Sequence, residues 1–177
     1  MDAGRKAVGM SGLTEGGRGP AAADLRVLTV RPPWSWAIAY AGKTVENRSW
    51  PARYRGLLAV HAGKRPDKAA FRHPAMLEFY EQPGNPNPVY DCGLIVAVVT
   101  LSGCHHSDDC MHAGHLVPPG GRTGCSPWAA RGQFHFELTG ARPLPEPVPH
   151  TGALGIRPLP PSTEKAVRDQ LGMGNGA

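Results

Sequence analysis

Leu28-Thr29-Val30-Arg31-Pro32-Pro33-Trp34-Ser35-Trp36, followed shortly by Gly42-Lys43-Thr44-Val45-Glu46-Asn47-Arg48-Ser49-Trp50, is the stretch whose reading decides the fold. The aliphatic and β-branched run from Leu25 to Val30 reads as a strand, and Pro32-Pro33 end it because proline offers no ladder donor. Trp34, Ala37, Ile38 and Ala41 then fall on one helical face, so residues 34–41 read as a short amphipathic helix that starts after the prolines and stops at Gly42. Residues 44–50 and 57–62 read as two more strands, joined by 51–56. In a regular strand Lys43, Val45 and Asn47 alternate against Thr44, Glu46 and Arg48. Lys43 therefore meets Glu46 only if the strand opens with a turn or bulge, which Gly42 can supply.

Outward from this block, residues 67–82 have helical composition with a break at Pro74, and 83–91 form a Pro/Asn/Gly loop. Residues 93–101, centred on Leu-Ile-Val-Ala-Val-Val-Thr, read as a strand buried on both faces. Residues 102–127 read as a long Gly/Pro/His/Cys loop, 133–138 as a strand, 143–149 as a proline-rich connection and 153–157 as a further short strand. Ser162 is the expected cap of a terminal helix reaching about Leu171. Residues 1–24 carry no apolar period and are expected to be a disordered tail. The domain expectation is thus a tail (1–24), one domain (25–160), and a short helix with its own tail (161–177). Strands outnumber helices without alternating with them regularly, which favours an α+β fold, a mixed β-barrel with a few short flanking helices, over a doubly wound sheet.

A chain of 177 residues can bury one sufficient core without disulfides, and its 23 Gly and 19 Pro imply many turns. The net charge of +5 is unevenly spread: between Arg26 and Arg72 ten Lys and Arg face only Glu46 and Asp67, a local +8, and the remainder is −3. A basic surface of that kind attracts phosphates. No run of about 18 apolar residues could span a membrane and no apolar signal-peptide core is present, so a cytoplasmic protein without membrane partners is expected. In that reducing setting Cys92, Cys104, Cys110 and Cys125 read as thiols or metal ligands rather than disulfides. The absence of a Walker or dinucleotide glycine loop takes weight from the nucleotide-hydrolysing classes.

The opening blocks, together with Tyr54-Arg55-Gly56 and His61-Ala62, resemble the ASCH family, named for homology to an activating signal cointegrator. The family pattern runs Arg-Gln-Pro-Trp, then Gly-x-Lys-x-x-Glu-x-Arg, then Tyr-Arg-Gly and a strand ending in His-Ala. Ser126-Pro127-Trp128-Ala129 and Gly132-Gln133-Phe134-His135-Phe136, with Pro143-Leu144 beyond, also resemble segments of cellular and phage members, so the resemblance covers residues 26–158. Pro32 stands where the family has Gln, and Ala41 where it has Gly. The resemblance implies a PUA-like barrel with a cleft beside the first helix, RNA or nucleoside binding, and hydrolytic activity in some members. One small branch resembles an amidohydrolase of N4-acetylated cytidine that uses a Lys, a Thr three residues later and a distant Glu. Here Lys43 matches but Glu46 occupies the Thr position, and Thr44 would point to the opposite strand face. That chemistry is not carried over.

The residues themselves make a consistent site. A carboxylate between Lys and Arg can position a base edge or a water, and Lys43 and Arg48 can hold a phosphate. Trp34, just after the prolines, is the best of the four tryptophans to stack on a base, and Arg55 adds positive charge. Ligand-binding candidates are therefore Trp34, Lys43, Glu46, Arg48 and Arg55. Were there turnover, Lys43 or Glu46 would be the general base, with Arg48 or Arg55 stabilising charge. His61 and His135, set in apolar strands, read as satisfied core histidines. Cys104, Cys110, His112 and Cys125 are weak zinc candidates, since their spacing matches none of the usual Cys-x-x-Cys knuckles, and no metal or cofactor is expected. The favoured reading is a binding module for RNA, another nucleic acid or a nucleoside. The alternatives are a hydrolase of a nucleoside amide or RNA, and a protein-interaction adaptor.

Overall fold

In the computed structural model, which describes residues 24–83, 92–110 and 125–173, the strand expected from the aliphatic run is β1 (Leu25–Val30). The Pro32–Pro33 bond is cis, and helix α1 (Trp34–Tyr40) follows it directly. Gly42, at φ +64°, turns the chain into β2 (Val45–Arg48), and β3 (Gly56–Ala62) comes next. Pro74 divides the expected helical stretch as anticipated: a 3-10 turn over Lys68–Arg72 precedes α2 (Pro74–Tyr80), with the proline at the helix start where its missing N–H costs nothing. The remaining elements are β4 (Leu94–His106), β5 (Phe134–Pro149), β6 (Ile156–Pro158) and α3 (Pro161–Gln170).

The fold is α+β: six strands form one mixed sheet in the order β2-β5-β4-β3-β1-β6, with β1 parallel to β3 and all other pairs antiparallel. Alternation along the strands feeds two cores. Leu28, Val30, Leu58, Val60, Val96, Leu101 and Leu138 face α1, and Leu25, Val27, Ala59, Ile95, Val98 and Leu144 face Val167 of α3. A third cluster joins Trp36, Ala37, Val45, Ala75, Met76 and Trp128, so α2 lies behind α1. β4 is buried through its centre, as its apolar run requires.

Several expectations are corrected. The sheet does not close into a barrel: its ladder ends at β2 and β6, and strands of four and three residues offer little length for an edge-to-edge pairing that alternation alone never reveals. The loop expected from residue 102 is strand as far as His106 and a 3-10 turn over Ser107–Asp109; residues 111–124 lie outside the described ones. The proline-rich connection is also strand. β2 pairs only with Phe134 to Glu137, so beyond that point the outer side of β5 has no strand partner among the described residues, and proline is tolerated there. Gln170 of α3 covers that edge, accepting from Glu146 N–H at 2.9 Å and donating to the Glu146 carbonyl at 2.8 Å. Thus α3 belongs to the domain. Its first residue is Pro161 and Ser162 makes no capping bond, because proline already sits at the first helical position.

Of the expected tail, residues 1–23 lie outside the described ones, while Asp24 pairs with Arg26 at 2.8 Å and its carbonyl accepts from the Tyr54 hydroxyl at 2.6 Å. Among the described residues no helix is long and apolar enough to cross a membrane.

Candidate functional site

The turn at Gly42 brings Lys43 and Glu46 together. Lys43 N–H still donates to the Ala37 carbonyl at 3.0 Å, so the residue hangs from the end of α1 instead of joining the β2 ladder. Its ammonium donates to the Val45 carbonyl and lies 3.5 Å from Glu46 Oε2. Glu46 Oε1 is 3.1 Å from the Arg48 guanidinium, which also donates to the Thr29 carbonyl at 2.6 Å. One carboxylate therefore sits between two cations, with Lys43 only 3% and Glu46 6% exposed. Burial pushes the Lys43 ammonium below its ordinary value, and Glu46 pulls the other way. The same ammonium lies 5.4 Å from the centroid of Trp34 and 5.8 Å from that of Trp128, two cation–π contacts in a desolvated setting.

This group lines a cavity of about 350 Å³ with Arg31, Trp34, Asp67 and Gln133 among the other walls. Trp34 is held by its indole N–H, which donates to Asp67 at 3.2 Å, and by an edge contact to His73. Arg48 Nε is buried and has no hydrogen-bond partner among the described residues. Of the five sequence candidates, Trp34, Lys43, Glu46 and Arg48 thus share one cavity. Arg55 does not: it is exposed and donates to the Ala52 and Tyr54 carbonyls. Trp36 and Trp128 are core residues and Trp50 packs edge-on against Phe136, which leaves Trp34 as the indole facing the cavity. Arg31, Asn47, Asp67 and Gln133 were not singled out from sequence, because their roles depend on which loops close over β2.

His61 is the satisfied core histidine expected. Its Nε2–H donates to the His150 carbonyl at 3.0 Å, and Nδ1 accepts from Thr29 Oγ1 at 3.1 Å. Burial, and then the neighbouring His150, hold it below the usual imidazole range.

His135 has a different setting from the one expected. It is fully buried, but it lies opposite His105 across the β4–β5 ladder, and Cys110 and Cys125 complete a group of four whose ligand atoms all lie within 4.8 Å of one another. Cys104, one residue earlier on β4, turns toward the core, where its sulfur accepts from Ala52 N–H at 3.4 Å. His112 lies outside the described residues. Burial first, and the Cys110 thiol second, push Cys125 up to about 12. Two of the four zinc-type residues were missed in sequence because a cross-strand pair has no signature in linear spacing.

No family model matches the chain, and no curated protein matches it closely enough to count as a relative.

Proposed function

We propose that this chain is a nucleoside- or nucleic-acid-binding domain, with RNA as the favoured polymer, and that the Trp34–Lys43–Glu46–Arg48 cavity is its site. The observation that carries the reading is the Arg48 Nε–H, which has no partner among the described residues, in a polar cavity of about 350 Å³. A buried donor left unpaired is costly, and a ligand acceptor that meets it recovers that cost. The volume falls within the range of small-molecule pockets, at the end suited to one nucleoside. Trp34 supplies a ring for a base, Glu46 retains acceptor capacity for an exocyclic amino group, and Arg31, with a side chain 59% exposed, stands at the cavity wall where a phosphate could reach it. Lys43 is engaged by Val45 and Glu46, so its part is to hold Glu46 in place.

The ASCH resemblance agrees with this reading. On that view the open six-stranded sheet is a variant of the PUA-like fold. Binding is favoured over hydrolysis by a hydroxyl nucleophile because Thr29, the only hydroxyl residue among the described ones lining the cavity, is committed to His61 and to Ala153 N–H.

The test is titration of the full chain with free nucleosides, nucleoside monophosphates and short RNA and DNA oligonucleotides at two salt concentrations. Arg48→Gln should weaken the best ligand by about 10-fold or more, the loss of a charged hydrogen bond. Trp34→Leu should cost about 1–3 kcal/mol of stacking. Arg31→Ala should lower the salt slope for oligonucleotides by about one. Absence of binding to every member of the panel by the folded wild type sinks the proposal.

A further inference from the structure

The geometry points to a structural zinc site formed by His105 Nε2, Cys110 Sγ, Cys125 Sγ and His135 Nδ1, at the corner where β4 and β5 meet the segment that closes over β2. The ligand set is two thiols and two imidazoles, a combination that selects zinc in a tetrahedral field. With Zn–S near 2.3 Å and Zn–N near 2.0–2.1 Å, tetrahedral edges are about 3.3–3.4 Å for N–N and about 3.5–3.6 Å for N–S. The edges present are His105 Nε2–His135 Nδ1 at 3.3 Å, Cys110 Sγ–His105 Nε2 at 3.4 Å, Cys110 Sγ–His135 Nδ1 at 3.3 Å and Cys125 Sγ–His135 Nδ1 at 3.1 Å. These four lie within about half an ångström of the edges a zinc ion would set, and the two remaining edges, Cys125 Sγ to Cys110 Sγ and to His105 Nε2, are no longer than 4.8 Å.

The surroundings select the same nitrogens. His105 Nδ1–H donates to Glu137 Oε1 at 2.7 Å, and His135 Nε2–H donates to the Ala130 carbonyl at 2.8 Å. In a neutral ring each bond fixes the tautomer that turns the lone pairs of His105 Nε2 and His135 Nδ1 toward each other. Thiol protons could satisfy one nitrogen each, but a cation at the centre satisfies all four atoms together. Outer acceptors of this kind, a carboxylate on one imidazole and a carbonyl on the other, are the arrangement that orients metal-bound histidines.

Gly103 provides independent support. It pairs with Glu137 across the ladder, and a Cβ at that position would lie 2.3 Å from Glu137 Oε2. The missing side chain is what allows the carboxylate to fold over β4 and reach His105.

All four positions are filled by protein, which marks a structural site and leaves no place for substrate. Zinc joins the ends of β4 and β5 to the 125–133 segment. Uptake releases the two thiol protons, so two thiolates balance the dication and the imidazoles stay neutral.

The experiment is elemental analysis of the full chain purified without chelator, followed by cobalt(II) and zinc titration of protein stripped under reducing conditions. One zinc per chain is expected, with a cobalt spectrum showing tetrahedral ligand-field bands and thiolate charge transfer. Cys110→Ser and Cys125→Ser should each weaken zinc at least tenfold, while Cys92→Ser and Cys104→Ser leave it unchanged. Should the ligand variants fail to fold, Glu137→Gln serves instead: it is expected to fold and to lose about 10–100-fold in zinc affinity, as outer-shell substitutions do. Stripped, folded wild type that takes up neither metal overturns the inference, and so does zinc retained unchanged in Cys110→Ser and Cys125→Ser. A Cys110–Cys125 disulfide that persists in reductant with zinc present overturns it too, because the pair is then a redox couple.

Discussion

Replacing Glu46 by Gln keeps the shape of the side chain and removes the single negative charge that two cations share. Lys43 lies 3.5 Å from one oxygen and Arg48 3.1 Å from the other, distances at which each attraction is about 5 kcal/mol at an effective dielectric of about 20. Only part of this is lost on substitution. The Gln oxygen still accepts one hydrogen bond, the Arg48 side chain is 22% exposed and screened, and Lys43 can shed its proton when its partner goes. Breaking a buried pair from one side costs about 3–5 kcal/mol, and these escapes place the expected loss at the lower end, about 3 kcal/mol. For a domain of this size that lowers Tm by about 6–12 °C. The pH dependence supplies a signature. Burial already holds Lys43 below 10.5, and losing Glu46 pushes it lower still. The unfolded chain then binds more protons than the folded one between the folded value and 10.5, so stability rises with pH across that window. The variant's deficit at neutral pH should therefore shrink on the alkaline side. Melting followed by far-UV circular dichroism at neutral and alkaline pH measures both quantities. A variant within about 2 °C of wild type at neutral pH, with no alkaline recovery, refutes the view that Glu46 neutralises a buried Lys43.

Two further outcomes follow from the same geometry. His61 and His150 are both held below 6.5 by burial, so their contribution to stability is fully present above 6.5 and is lost as pH falls through their lower folded values; Tm should decline from about pH 6.5 downward, with a shallower slope in His61→Gln, and a flat profile in wild type would falsify this. Gly103→Ala should push the Glu137 carboxylate off His105. Because Glu137 is 38% exposed and can turn into solvent, the thermal cost should be only about 1 kcal/mol, whereas zinc affinity falls about tenfold, and a competition titration that finds wild-type affinity counts against Glu137 as the orienting group.

The core of the fold was legible where one element decides its own state. The apolar run of β4 and the proline stops beside β1 and α1 needed only local chemistry, and Gly42 foretold the turn that joins Lys43 to Glu46. That Trp34, Lys43, Glu46 and Arg48 share one cavity was legible to the same extent, because they lie within a short span bracketing one helix. What escaped was set by pairing. Proline content argued against strand over 143–149, yet β2 is too short to reach those residues, so their outer side never needs a donor. Closure of the sheet was expected from the excess of strands over helices as well as from the family resemblance, and nothing in strand alternation distinguishes a paired edge from a free one. His105 and His135 are 30 residues apart and become neighbours only through the β4–β5 register, which is also why an irregular Cys/His spacing was a poor guide to what those residues build.

The two corners of the molecule share one side chain. Asn47 lies on β2 between Glu46 and Arg48; its amide donates to the Trp128 carbonyl at 2.8 Å and its oxygen accepts from Ala130 N–H at 2.9 Å. Ala130 in turn gives its carbonyl to His135 Nε2 and lines the cavity. The segment that closes the cavity is therefore held from one side by β2 and from the other by a proposed zinc ligand, with Trp128 stacked 6° from parallel on His73 behind it. The proposed metal would thus steady a wall of the cavity that lacks a strand or helix. The 125–133 segment has no strand or helix of its own, so its position relies on side chains, and a fixed imidazole at its end limits how far the cavity wall can move. Zinc loss should thus act on the cavity by loosening Ala130 and Gln133, while Lys43, held at the end of α1, and Glu46 and Arg48 on β2, the latter anchored by the Thr29 carbonyl, keep their geometry.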